Sequence, residues 1–174
     1  MTQATFIIFS GLPGTGKSTL ASRLANHLKA TYLRIDTVEQ GLREVCRINE
    51  IEGMGYRLSY RIARENLLLG NTVISDSVNP WDLTRNEWND VARSINVPFI
   101  NIEVVCSDKQ EHKNRIETRE SSVPGLNMPT WEEVVNRDYQ PWKEERISLD
   151  TAGKTIEESF QELKSRIAPH LKQS

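Results

Sequence analysis

Long apolar runs, paired cysteines and a surplus of one charge are what this 174-residue chain lacks, and each absence removes a class of protein. No stretch of 18 apolar residues occurs, so no membrane-crossing helix is expected. Met1-Thr2-Gln3-Ala4 leads into the first apolar run without the basic and apolar regions of a secretion leader, and the expectation is a soluble, cytoplasmic protein. Cys46 and Cys106 lie far apart and in no metal-ligand spacing, which argues for two reduced, buried thiols over a disulfide framework. His27, His112 and His170 have no carboxylate or cysteine partner at ligand spacing, which argues against zinc. A net charge of -2 and a pI near 6.0 leave no global basic field for nucleic acid or an anionic membrane. There is no internal repeat and no low-complexity tract.

What is present is alternation. Apolar, β-rich runs near 5–9, 31–35, 72–76, 99–105 and 146–150 are separated by amphipathic stretches at about 17–29, 37–47, 55–69, 83–95, 108–118, 130–140 and 155–168. This is the pattern of a parallel sheet covered by helices, in one α/β domain spanning 1–174. Leu20, Leu24 and Leu28 form one apolar stripe, and Ile156, Phe160, Leu163 and Ile167 another, each predicted to face the sheet. Residues 119–130, Arg-Glu-Ser-Ser-Val-Pro-Gly-Leu-Asn-Met-Pro-Thr, read as a mobile loop between two helices and are placed as a lid.

Directly behind the run Phe6-Ile7-Ile8-Phe9 stands Gly11-Leu12-Pro13-Gly14-Thr15-Gly16-Lys17-Ser18-Thr19, which fits Gly-x4-Gly-Lys-Ser/Thr. With glycine near 7% of residues, the bare pattern arises by chance in about one sequence of this length in a hundred, and a flanking strand and helix make chance rarer. Glycines let successive backbone N–H groups turn inward onto phosphate oxygens, and the helix beginning at Lys17 adds its positive end. Lys17 is then expected to reach the β- and γ-phosphates and Ser18 to ligate Mg2+.

Ligands of such a sheet bind beyond the carboxyl ends of the strands, and every predicted strand end here carries polar groups. Asp36 follows Tyr32-Leu33-Arg34-Ile35 and opens a helix; it can orient or deprotonate a phosphate acceptor, cap the helix, or do both. Asp76 ends Thr72-Val73-Ile74-Ser75, the form of an acidic residue that holds Mg2+ directly or through water. Asn79, in the loop after it, is a candidate substrate contact. Arg115 and Arg119 enter the lid and Arg137 leaves it, so three guanidinium groups can close on ATP phosphates, against the alternative of a solvated helix face with Glu111–Arg115 pairing. Arg43, Arg57 and Arg61 are candidates for acceptor binding by position alone. Asp150-Thr151-Ala152-Gly153 imitates a GTPase switch, but it lies far beyond the phosphate loop and no Asn-Lys-x-Asp guanine motif exists.

With Gly11–Thr19, Asp36, Asp76, the Arg115-x3-Arg119 pair and a lid in this order, nearly the whole chain resembles the nucleoside monophosphate kinase-like group of P-loop kinases. Within it the chain is most similar to the gluconate, shikimate and adenylylsulfate kinases and to a set of small AAA-type ATPases or predicted kinases, the last through Asp76-Ser-Val-Asn-Pro and Tyr139-Gln-Pro-Trp142. The resemblance implies a three-layer α/β/α P-loop NTPase fold, a five-stranded parallel sheet of order 2-3-1-4-5, a helical lid that closes on binding, and MgATP as donor. It also implies Arg115 near adenine, Arg119 and Arg137 on the phosphates, and adenine contacts from Thr151, Ala152 and Gly153. Arg34 and Val38 flank Asp36 where shikimate kinases carry a second acid, and the Leu-Asp-Gly-Asp context of adenylylsulfate kinases is missing. The function expected is transfer of the γ-phosphoryl group to a hydroxyl or phosphate of a small molecule, by a monomer or homodimer. The alternatives are a polynucleotide 5′-hydroxyl kinase, matched loosely by Asp36 and Arg43 but disfavoured by the acidic pI, and an ATP-binding regulatory module without transfer.

Overall fold

The computed structural model describes residues 3–47 and 50–171. Five parallel strands, β1 (Phe6–Ser10), β2 (Thr31–Arg34), β3 (Val73–Asp76), β4 (Phe99–Val105) and β5 (Ile147–Asp150), lie in the order β2-β3-β1-β4-β5. The helices are α1 (Lys17–Leu28), α2 (Ile35–Cys46), α3 (Met54–Leu68), α4 (Asp82–Arg93), α5 (Lys109–Thr118), α6 (Trp131–Val135) and α7 (Ile156–Ile167), with a short 3-10 turn at Ala168–His170.

The period-two geometry of a strand builds both cores at once. Ile7 and Phe9 of β1 point to one side, where they pack with Leu20 and Leu24 of α1 and Phe160, Leu163 and Ile167 of α7. Phe6 and Ile8 point to the other, against Ala63 and Leu67 of α3 and Trp88, Val91 and Ala92 of α4. A strand buried on both faces must be apolar throughout, which is why β1 reads as an unbroken run. The register sets Phe9 and Arg34 beside Asp76, so three strand ends converge at one point.

Four local expectations are corrected. Helix α2 begins at Ile35 with Arg34 as its N-cap, so Asp36 sits in its first turn and not at the cap. Helix α6 covers five residues where 130–140 was expected; the carbonyls of Gln140 and Pro141 bind Arg85 instead, and a residue preceding proline disfavours helix. Residues 119–130, expected as a loop, hold no helix or strand, and the helix that follows them is α6. Cys46 is exposed whereas Cys106 is buried, and Ile156 at the start of α7 is also exposed, leaving Phe160, Leu163 and Ile167 to carry that stripe.

Candidate active site

The phosphate loop is held in a shape that only glycine permits at its corners. Gly14 has φ +84°, and a Cβ there would stand 2.5 Å from Ile116 Cδ1; at Gly11, with φ +142°, it would stand 2.3 Å from the Val104 carbonyl oxygen. Gly16, at φ +92°, is the N-cap of α1, and no side chain caps that helix, so its first N–H groups face the cavity with the helix dipole behind them. Neighbouring groups brace the loop. The Thr15 hydroxyl donates to the Leu12 carbonyl at 2.9 Å, His112 Nε2 bonds the Pro13 carbonyl at 2.7 Å, and the Thr151 hydroxyl donates to the Thr15 carbonyl at 2.8 Å.

A cavity of about 590 Å³ opens over this loop. Its floor is Leu12, Pro13, Gly14, Gly16, Lys17, Ser18 and Thr19, and across from them stand Arg34, Asp36, Glu39 and Val78. Arg115, Arg119, Arg137 and the lid residues Ser122, Leu126 and Met128 complete it. A smaller space of about 270 Å³ adjoins it beside Gly16, Thr19, Arg115 and Thr151.

At the bottom of the large cavity Lys17 Nζ donates to Asp76 Oδ1 in a close ion pair, and the Tyr32 hydroxyl donates to Asp76 Oδ2 at 2.6 Å. Asp76 is 1% exposed. Burial alone pushes its carboxyl up, but the Lys17 charge and hydrogen bonds from Lys17, Tyr32 and Ser18 outweigh burial and hold it below the ordinary aspartate range. Burial and the Asp76 carboxylate drive the Tyr32 phenol the other way, well above the usual tyrosine range, so it stays a donor. Ser18 Oγ lies 3.5 Å from Lys17 Nζ, which puts a hydroxyl and a carboxylate, both hard oxygen donors suited to Mg2+, on either side of the lysine. Among the described residues no cluster of three acidic, histidine or cysteine side chains could hold a metal by itself. A cation at this place would need phosphate oxygens to complete its shell, the usual arrangement for a nucleotide-bound Mg2+.

Asp36 faces the phosphate loop across the cavity, half-buried, with Oδ2 accepting from Arg34 Nε at 3.3 Å and Arg34 Nη2 at 3.2 Å. Arg34 Nη1 continues to Ser122 Oγ at 2.6 Å, which ties the end of β2 to the segment 119–130. Arg119 is the C-cap of α5 in extended conformation, so it leaves the face that Arg115 occupies and turns toward Asp36 and Arg34. Burial lowers its guanidinium below the ordinary range, Asp36 opposing and Arg34 adding to the shift, and its Nε is buried without a hydrogen-bond partner. Arg115 is anchored instead: Nη1 donates to Thr151 Oγ1 at 2.8 Å, and Nη2 to the Thr151 carbonyl at 3.1 Å and to Glu111 at 2.6 Å.

Not every candidate from the sequence lies here. Arg43 pairs with Glu39 at 3.8 Å on α2, and Arg57 and Arg61 are exposed on α3; none of the three lines the cavity. Asn79 is fully buried beneath the phosphate loop, its Nδ2 donating to Ser10 Oγ at 2.9 Å, which makes it a brace of the loop's rear in this structure. Ala152 and Gly153 belong to the loop after β5, where their N–H groups donate to Asp150 and Glu111. Conversely, sequence reasoning passed over Tyr32, Arg34 and Glu39. Tyr32 and Arg34 are two apart on a strand whose end meets Asp76, and Glu39 follows Asp36 by three on a helix, so both periodicities held a signal.

A doubly wound sheet of this order with a phosphate cradle at the end of its first strand defines a P-loop kinase domain. Residues 6–137 match the family described as AAA domain, and the chain belongs to that family. It is 27% identical over 175 residues to a probable adenylyl-sulfate kinase of Aeropyrum pernix, covering 91% of this chain and 89% of that one. Two solved structures share the fold: a gluconokinase from Sinorhizobium meliloti, with TM-score 0.68, 15% identity and 98% and 95% coverage of the two chains, and the Mycobacterium tuberculosis APS kinase CysC in complex with AMPPNP and APS, with TM-score 0.67, 18% identity and 97% and 99% coverage. Among the described residues no helix is long and apolar enough to cross a membrane.

Proposed function

We propose that the protein transfers the γ-phosphoryl group of MgATP to a small-molecule acceptor held beside Asp36. The observation that carries this reading is the placing of one carboxylate, Asp36, across a single cavity from the phosphate loop. Backbone N–H groups of Gly14–Thr19 and the α1 N-terminus would hold the phosphates. Lys17 would leave Asp76 for the β- and γ-phosphates, and Asp76 and Ser18 would then be free for Mg2+ or its waters. The metal, when bound, neutralises the charge that builds on the phosphate oxygens.

Asp36 would take the proton of an acceptor hydroxyl, or orient it, as the acceptor oxygen bonds the γ-phosphorus and the bond from that phosphorus to the β,γ-bridging oxygen breaks. ADP departs with the bridging oxygen, and the proton passes from Asp36 to solvent. Arg119, already beside Asp36, would stabilise charge on the transferred group, and Arg137 would approach from the lid. Arg115 holds the loop after β5 against the phosphate loop and would shape the nucleotide's place by position. Asn79 supports the same loop from beneath. The test is Asp36→Asn: phosphoryl transfer should collapse while MgATP still binds, whereas equal transfer by variant and parent removes Asp36 from the mechanism.

A further inference from the structure

Asp36 is not the only carboxylate on its side of the cavity. Glu39 lies one helical turn later on α2, at the spacing that puts two side chains on one face, and it lines the same space. The fold makes room for it. Gly55, in the first turn of α3, has no side chain where Glu39 lies; a Cβ there would stand 2.3 Å from Glu39 Cγ. Burial raises the Glu39 carboxyl above its ordinary range, and Asp36 pushes the same way against Arg43 and Arg137.

Of the cations on this side, Arg34 binds Asp36 and Arg43 pairs with Glu39. Arg119, its Nε unpaired, and Arg137 lie near Asp36, Glu39 and Glu133 without an ion pair among the described residues, and are assigned above to the transferred phosphoryl group. An acceptor with its own phosphate or sulfate would need surplus positive charge beside it, and two carboxylates on one helix face offer the reverse. What they suit is a pair of neighbouring hydrogen-bond donors. The lid supplies a matching wall: Gly125 packs on Gln40 and Glu44 of α2, and Leu126 and Met128 present apolar surface to the space.

We infer that Glu39 sets acceptor specificity, and that the acceptor is a polyhydroxylated small molecule without phosphate or sulfate, giving one hydroxyl to Asp36 and a neighbouring hydroxyl or ammonium to Glu39. The inference rests on the kinase reading above. It is tested with the full chain and MgATP against two sets of acceptors, followed by ADP release and by mass spectrometry of the product. One set holds hexoses, pentitols, inositols and amino sugars; the other holds nucleoside monophosphates and adenylyl sulfate. Turnover is expected in the first set. With the best of those acceptors, Glu39→Gln and Glu39→Ala should raise KM by about 10- to 100-fold and change kcat by less than about threefold, since a hydrogen bond to a charged group is lost from binding alone. An amino sugar would suffer more from Glu39→Gln than an uncharged polyol, which separates the two donors.

Transfer confined to the phosphorylated or sulfated set overturns the inference and leaves the kinase reading standing, as does an unchanged KM in variants that melt like the parent. Absence of transfer to either set, with MgATP bound, overturns both.

Discussion

In the proposed reaction Lys17 serves two anions in turn, and the consequences can be measured. In the structure it neutralises Asp76, which is buried and, among the described residues, has no other cation in hydrogen-bonding contact, the Arg34 Nε standing 4.0 Å away. Lys17→Met should therefore destabilise the fold, by about 3–5 kcal/mol if the carboxylate stays charged, because removing one partner of a buried pair strands the other. Adding Asp76→Asn should restore much of that loss while abolishing transfer, and chemical denaturation of the three proteins checks both points. The pair also gives the protein a pH signature. Asp76 has a folded pKa below its unfolded value, so its stabilisation is complete above the ordinary aspartate range of about 4 and disappears as pH falls through the depressed folded value. Denaturation midpoints between about pH 7 and about pH 3 should fall more steeply for the parent than for the Lys17→Met, Asp76→Asn double variant, and parallel profiles would contradict the assignment.

Between elements, the device that holds the lid's far end is Arg85. It lies on α4, 1% exposed, and donates to the carbonyls of Asn79, Pro80, Gln140 and Pro141 at 2.8–3.2 Å. Its guanidinium stacks over Trp142 at 4.2 Å and Tyr139 at 5.0 Å, and Gln140 N donates to the Pro80 carbonyl at 2.8 Å. The loop after β3 and the segment after α6 are thus fastened together at residues 139–142. Arg85→Met is expected to raise amide exchange at 139–142 and to cost about 2–4 kcal/mol, in the range for breaking a buried hydrogen-bond network; unchanged exchange there would contradict the clasp.

This clasp also shows where the sequence stopped being readable. Strand β1 and the phosphate loop are local: a strand buried on both faces is written as a continuous apolar run, and the cradle is one contiguous motif. The Arg85 network joins residues 55 or more positions apart through backbone carbonyls, which have no sequence signature, and in the helix Asp82–Arg93 an arginine looks like any solvated residue. The acceptor side was half legible for the same reason. Asp36 announced itself by following a predicted strand, whereas Glu39 depends on a gap left by Gly55 on another helix, and Asn79 read as a loop residue able to contact substrate when it is sealed under Ser10.

At the level of the whole molecule, the cavity draws on distant parts of the chain: the floor from the loop after β1 and the start of α1, the facing wall from the end of β2 and from α2, the roof from α5, the lid and α6. A ligand that binds this assembled site and not the unfolded chain must stabilise the fold. At about 100 times its dissociation constant, MgATP should add about 2.7 kcal/mol, which for a domain of this size is a rise in Tm of about 5–10 °C. Lys17→Met should lose most of that rise. Reading the phosphate site as a nucleotide cradle does not by itself make an enzyme, and the decisive distinction is between holding ATP and spending its terminal phosphate on another molecule. That is settled most directly by following label from the γ-phosphate of ATP into a polyhydroxylated acceptor, with MgATP affinity measured on the same preparations of the parent and of Asp36→Asn. Labelled product is expected from the parent, with a loss of about 10²- to 10⁴-fold in Asp36→Asn and nucleotide affinities within about threefold of each other. Equal transfer by the two proteins, or tight nucleotide binding by the parent with label found in no acceptor, would contradict the proposed mechanism.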